Sequence, residues 1–219
     1  MMNIDEYIED HIDAEGDYLH RLYRATRTHL LYGRMASGHL QGRLLKMLTE
    51  MIRPQTVLEI GTFSGYSALC IAEGMRPGTK LHTIEIFDEL EDFTRPWIEQ
   101  SPWADRVEFH IGDAMEVVPR LGLTYDMAFI DGNKRLYPDY YKLVKQHMNT
   151  GGYIIADNTL WDGHVLDINP LSVHSLDEIS RKDQQTVGVM EFNDLVAADE
   201  DVEKVIIPVR DGLTLIRIK

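Results

Sequence analysis

From Thr56 onward, short apolar runs alternate with helix-length segments, and this alternation constrains the fold more than any other feature of the chain. The strand-like runs are Val57–Ile60, Leu81–Glu85, Val107–His110, Met127–Ile130 and Tyr153–Ala156. Helical candidates lie between them near 65–74, 88–100, 113–121 and 136–148, with Pro96 placed to kink or end the second. Strands separated by single helices imply right-handed crossovers and a mainly parallel, doubly wound α/β sheet. Residues 159–183 are irregular and polar, with His164, Asn169-Pro170 and His174, and read as a long surface loop of the kind that serves as a lid. A helix near 184–198 follows. Asp211-Gly212 between Lys204–Val209 and Leu213–Ile218 signals an antiparallel hairpin. Ahead of the alternation, Tyr18, Leu19, Leu22 and Tyr23, then Leu40, Leu44, Leu45 and Leu48, give helical periodicity across 1–52, broken near Gly33–Gly38 with Ser37 at a helix start. No linker divides the 219 residues, so one domain is expected, with a helical segment at 1–52 and a core at 53–219.

The net charge of −14 argues against a polyanionic partner such as nucleic acid, which needs a basic face to replace counterions. Cys70 is the sole cysteine, so an intrachain disulfide is excluded. It lies in an apolar helical pattern and reads as a buried thiol. The segment MMNIDEYIED lacks the basic start and apolar run of a signal peptide, and no stretch approaches the ~18 apolar residues of a membrane span. A cytoplasmic protein without a membrane partner is expected.

Ligands of doubly wound sheets bind outside the carboxyl ends of the strands. The first strand runs into Gly61-Thr62-Phe63-Ser64-Gly65, where glycine permits close approach and the next helix start attracts an anion. The same segment also reads as a tight turn before a helix. Its spacing is not the G-x-G-x-x-G of a dinucleotide site, which weighs against a nicotinamide-dependent oxidoreductase. Glu85, at the end of the second strand, is placed to accept from ribose hydroxyls, and Asp113-Ala114 after the third to meet an adenine edge.

The fourth and fifth strands end in Asp131 and in Asp157-Asn158. If these strands pair, the two carboxylates stand roughly 5 Å apart. Carboxylates that close repel each other, and a hard cation held by Asp131, Asp157 and the Asn158 carbonyl removes the conflict; Mg²⁺, Mn²⁺ or Ca²⁺ suits such an all-oxygen set. Taken separately, the same residues are ordinary helix caps and turn residues. Zinc is disfavoured, because none of the nine histidines forms an H-x-x-x-H or H-x-H pair.

Together these segments resemble the catechol and caffeoyl-CoA O-methyltransferases, within the class I Rossmann-like methyltransferases. The likeness runs from about Tyr18 to the C-terminus, through Met35–Leu48, Leu58–Ser67, Ile84-Glu85, Phe129–Lys134, Asp157-Asn158 with Leu160-Trp161, and Asp211–Leu213. The resemblance implies a seven-stranded sheet, S-adenosylmethionine bordered by Ser37, Glu59, Gly61, Ser67, Glu85, Asp113, Ala114 and Asp131, and a divalent cation on Asp131, Asp157 and Asn158. It places Lys134 beside the reacting hydroxyl and implies a homodimer. Where the family often carries an acidic or aromatic residue this chain has Gly132 and Asn133, and the 159–183 loop, which borders the acceptor in the family, looks long.

The activity implied is methyl transfer to a hydroxyl of a small catechol-like or hydroxycinnamoyl-type aromatic, with Asp131 and Lys134 as the catalytic pair. A tRNA hydroxyuridine O-methyltransferase is the alternative within the family, and the net charge counts against it. A non-catalytic binding module leaves Lys134 and the oxygen set without a reason.

Overall fold

The computed structural model describes residues 2–167 and 180–219. Asn169-Pro170 and His174 of the expected lid lie outside the described residues. Seven strands form one mixed sheet, ordered β3-β2-β1-β4-β5-β7-β6. They are β1 (Thr56–Ile60), β2 (Lys80–Glu85), β3 (Val107–Ile111), β4 (Tyr125–Ile130), β5 (Met148–Asp157), β6 (Val202–Ile207) and β7 (Leu213–Ile218). The doubly wound sheet with its antiparallel C-terminal hairpin is the fold expected. The chain divides into two compact units, Met1–Gln55 with Thr62–Gly112, and Thr56–Gly61 with Asp113–Lys219.

The first unit holds α1 (Ile4–Glu9), α2 (Gly16–His29), α3 (Gly38–Ile52), α4 (Tyr66–Gly74), α5 (Glu91–Glu99) and the parallel pair β2–β3. Every described side chain of α4 except Glu73 is buried, as its unbroken apolar run requires of a core helix. Close packing against α3 depends on small residues: a Cβ on Gly74 would meet the Lys46 carbonyl oxygen at 2.4 Å. Arg43 of α3 is bound through both terminal nitrogens to Glu73, at 3.2 and 2.5 Å. Pro96 neither ends α5 nor marks its boundary; the helix continues to Glu99. Packing decides this, because Thr94 and Ile98 are buried and Thr94 Oγ1 donates to the Phe63 carbonyl at 2.6 Å.

The second unit holds β1, β4 and β5 in parallel, then β7 and β6 antiparallel, with α6 (Ala114–Leu121), α7 (Tyr137–Gln146) and α8 (Arg181–Ala198). Its core is β4, α7 and α8, where Phe192 meets Tyr137 and Tyr141 edge-on at 5.5 and 5.8 Å between ring centroids. The helix α8 begins three residues earlier than its periodicity predicts, because Ser180 caps it by accepting from the Asp183 N–H at 3.2 Å. Strand β6 occupies 202–207 rather than 204–209, since Pro208 has no N–H to pair.

Candidate active site

In the first unit, the loop Thr62–Gly65 is fixed by the end of β2. The Thr62 N–H donates to the Ile84 carbonyl at 3.3 Å, and the Thr62 and Thr83 hydroxyls are 2.6 Å apart. Glu85, 5 % exposed, accepts from the N–H groups of Phe63 at 2.8 Å and Phe87 at 3.0 Å. These bonds hold Phe63 at φ 48°, a left-handed conformation that costs a side-chain-bearing residue about 1–3 kcal/mol. Gly65 then caps α4 at φ 83°. Ser37 and Ser67 are buried near the starts of α3 and α4, Ser37 without a side-chain cap bond. The Ser64 hydroxyl is buried with no hydrogen-bond partner among the described residues.

In the second unit, Glu59 is fully buried within β1 and Gly61 follows at φ 100°. A Cβ on Gly61 would lie 2.4 Å from the Asp131 carbonyl oxygen, so β1 and β4 approach each other here backbone to backbone. Asp113 caps α6, its Oδ1 accepting from the Met115 N–H at 2.9 Å, and Ala114 is buried in the first turn.

The tips of β4 and β5 meet as the strand pattern predicts. Ile130 is in register with Ala156, which makes Asp131 and Asp157 the next positions along. The Lys134 ammonium, 8 % exposed, donates to Asp131 Oδ1 at 2.6 Å and to the Gly132 carbonyl at 3.2 Å. It sits in a short 3-10 turn, Lys134–Leu136, capped by the Asn133 side chain. Asp157 is buried and its Oδ1 accepts from the Asn158 N–H at 2.7 Å. Asn158 stands at φ 55°, a conformation asparagine tolerates better than most residues, and its Nδ2 donates to Asp211 Oδ2 at 3.2 Å.

Three supports escape sequence reasoning. Tyr137 is fully buried beneath the two tips, its hydroxyl donating to the Ile130 and Asp157 carbonyls at 3.2 and 3.0 Å. Burial raises its phenol well above the ordinary range, and the negative charges of Asp131 and Asp157 raise it further. Asp211-Gly212, which the sequence marks as a hairpin signal and as part of the family resemblance, also clamps the loop after β5. The Asp211 carbonyl accepts from Leu160 and Trp161 at 2.8 and 3.1 Å, and a Cβ on Gly212 would meet the Leu160 nitrogen at 2.6 Å. Gly188 of α8 lies against the Lys134 turn, where a Cβ would fall 2.4 Å from the Lys134 carbonyl oxygen. A glycine in a helix pattern was the only trace of that contact in the chain. A cavity of about 460 Å³ lies on the Asn133–Leu136 side of this turn, lined also by Gln184, Val187, Gly188 and Glu191, and none of Asp131, Asp157 or Asn158 borders it.

A family model described as O-methyltransferase matches residues 9–219. Tricin synthase 2 of Oryza sativa subsp. japonica is 31% identical over 209 residues, which cover 93% of this chain and 70% of the rice protein. Caffeoyl-CoA O-methyltransferase 5 of Nicotiana tabacum is 32% identical over 189 residues, 84% of this chain and 77% of the tobacco protein. Among solved structures, the O-methyltransferase TomG from Streptomyces achromogenes, in complex with SAM, superposes with a TM-score of 0.86 at 28% identity, covering 99% of this chain and 96% of that one. The O-methyltransferase from Bacillus cereus in complex with SAH gives 0.85 at 26% identity, covering 99% and 97%. A match that spans the strand tips, the Lys134 turn and the closing hairpin alike leaves one assignment: the chain belongs to the O-methyltransferase family.

Proposed function

We propose that this O-methyltransferase uses a divalent cation, Mg²⁺ first among the hard ions, to present a small catechol-like or hydroxycinnamoyl-type aromatic to S-adenosylmethionine. The observation that carries the reading is the pairing of β4 with β5 in a register that brings Asp131 and Asp157 to adjacent tips, with Lys134 on Asp131.

The residues suit both groups. Two carboxylates and an amide form a hard, all-oxygen donor set. For the methyl donor, the buried Ser64 hydroxyl offers hydrogen-bonding capacity that no described residue uses, and Glu85 is a carboxylate fixed by two backbone N–H groups. S-adenosylmethionine with TomG and SAH with the Bacillus cereus enzyme support that choice of donor.

When bound, S-adenosylmethionine supplies an electrophilic methyl and the cation a Lewis acid that favours an ionised acceptor oxygen. The chain's own part is positioning. Asp131, Asp157 and Asn158 would hold the cation; the bond from Asn158 to Asp211 and the pair of bonds from Tyr137 fix these residues in place. Glu85 would orient the ribose. Lys134, bonded to Asp131 and the Gly132 carbonyl, takes up the acceptor's proton or stabilises its oxyanion. Transfer of methyl from a sulfonium to an oxyanion neutralises charge, so orientation at near-attack distance does more than added polarity around the methyl.

Lys134→Ala and Asp131→Ala, assayed with a catechol acceptor, labelled S-adenosylmethionine and Mg²⁺, should each lower kcat by ~100-fold or more. Full activity in either variant, or activity unaffected by excess EDTA, overturns the reading. An acceptor panel of catechols, hydroxycinnamoyl thioesters and flavonoids fixes the substrate class.

A further inference from the structure

No H-x-H pair occurs along the chain, yet the sheet builds a histidine pair from distant segments. Strands β2 and β3 run parallel with His82 in register with Glu108 and Ile84 with His110. Side chains alternate faces along a strand, so Glu108 and His110 project from the same face of β3, and register with Glu108 puts His82 on that face too. The His82 Nδ1 and His110 Nε2 atoms are 3.2 Å apart, and one ligand atom from each of His82, Glu108 and His110 lies within 4.8 Å of the other two. Among the described residues this is the only cluster of three or more histidine, cysteine or acidic side chains so arranged.

We propose that His82, Glu108 and His110 form a binding site for a borderline transition-metal ion of the Zn²⁺ class, separate from the oxygen set at Asp131, Asp157 and Asn158. Two imidazole nitrogens at ~2.0–2.1 Å from zinc, at a tetrahedral angle, stand about 3.3–3.4 Å apart. The observed separation of 3.2 Å is close to that value, and the rings would turn so that both lone pairs face one point. As the rings stand, one N–H donates to the other ring's lone pair; to ligate through both of these nitrogens the donor ring takes its other tautomer, its proton moving to the opposite nitrogen of the same ring. Two histidines and a carboxylate leave a fourth position for water. Nitrogen ligands also separate this site from Mg²⁺ and Ca²⁺, which take oxygen.

His82 is 8 % exposed and His110 half-buried, so the two rings lie partly out of solvent. Lys80 opposes a cation: its Nζ is 3.1 Å from Glu108 Oε1, and its charge repels any ion on that carboxylate. The set therefore binds more weakly than the same ligands would without Lys80. An ion here ties β3 to β2, three residues before Glu85.

Co²⁺ reports such a site by its visible d–d absorption. Full-length protein stripped with EDTA and then saturated with Mg²⁺, which occupies oxygen sites, is titrated with Co²⁺ and separately with Zn²⁺. The result expected is one equivalent of Co²⁺ with the intense band of a four-coordinate ion, displaced by Zn²⁺, and a rise in Tm with Zn²⁺. His110→Gln, at a half-buried position, should weaken binding at least tenfold and abolish the Zn²⁺ shift in Tm, while Lys80→Ala should tighten it. His82→Gln affects a buried position and is read only alongside a folded control spectrum; the test rests on His110→Gln and Glu108→Gln. Absence of the band in the native chain, or equal binding by His110→Gln, overturns the proposal. Neither outcome bears on the Mg²⁺-dependent reading, which is tested by activity and EDTA.

Discussion

A methyl group on Gly61 has nowhere to go, since the Asp131 carbonyl oxygen would lie 2.4 Å from it and the backbone stands at φ 100°. Gly61→Ala should cost about 2–4 kcal/mol in urea unfolding, through left-handed strain plus displacement of the β4 tip. A cost below ~1 kcal/mol would show that the tip moves freely. The sequence pattern marks Gly61 as a point of close approach to a ligand; the fold adds a close approach to Asp131, a partner 70 positions away that no local pattern identifies. Cys70 is the opposite case, legible from its apolar setting and found fully buried. Burial pushes its thiol up to about 12, against the opposing pull of Arg43. Since the thiolate is the reactive form, a disulfide reagent at neutral pH should modify no thiol in the folded chain and one in urea. Rapid labelling of the native protein would contradict this burial.

At the scale of elements, α8 and α7 set the position of the Lys134 turn. Replacing a mid-helix glycine by alanine ordinarily stabilises by about 1 kcal/mol. At Gly188 the added Cβ would stand 2.4 Å from the Lys134 carbonyl oxygen and 2.7 Å from the Arg135 Cα, contacts with backbone that no rotamer change relieves. The clash outweighs the propensity, so Gly188→Ala should be net destabilising and should lower kcat while leaving the α8 content by circular dichroism unchanged. A stabilised, fully active variant would refute this packing. The other end of α7 is held by Asp199, whose Oδ2 accepts from Tyr141 at 2.7 Å and Lys145 at 2.6 Å. Burial raises the Asp199 carboxyl, but the bonds from Lys145 and Tyr141 outweigh it and the net displacement is downward. A carboxyl depressed in the fold adds stability above its unfolded value, near ~3.9, and loses it as pH falls through the folded one. The gap between the native chain and Asp199→Asn should be about 1–2 kcal/mol at neutral pH and should close below the ordinary carboxylate range. A gap independent of pH would rule out the charge as its source. Element positions were largely legible because periodicity reports them; the starts of α8 and β6 shifted where a serine cap and Pro208 acted locally.

For the molecule as a whole, a net charge of −14 bears on the acceptor more than on the fold. A tRNA substrate would require phosphate contacts and a strongly salt-dependent affinity. No retardation of tRNA is expected at ~0.15 M salt, where long-range attraction is largely screened. Salt-sensitive retardation in the micromolar range would instead favour the hydroxyuridine alternative. No helix among the described residues is long and apolar enough to cross a membrane. The strand order reverses beside β1, and in doubly wound sheets the crevice at such a point is where ligands bind.

Alternation of apolar runs and helices was enough to determine the doubly wound sheet, because a strand or helix records its buried face in residues two or three to four apart. The same local pattern placed Asp131 and Asp157-Asn158 at strand ends. Which distant residues then touch was decided by tertiary structure alone: His110 against His82, Gly188 against Lys134, Tyr137 under both carboxylate tips, and Asp211 on Asn158. Periodicity fixes the face a side chain occupies, whereas its partner follows from how elements are brought together; between β2 and β3, a slip of one residue would turn His110 to the face opposite His82.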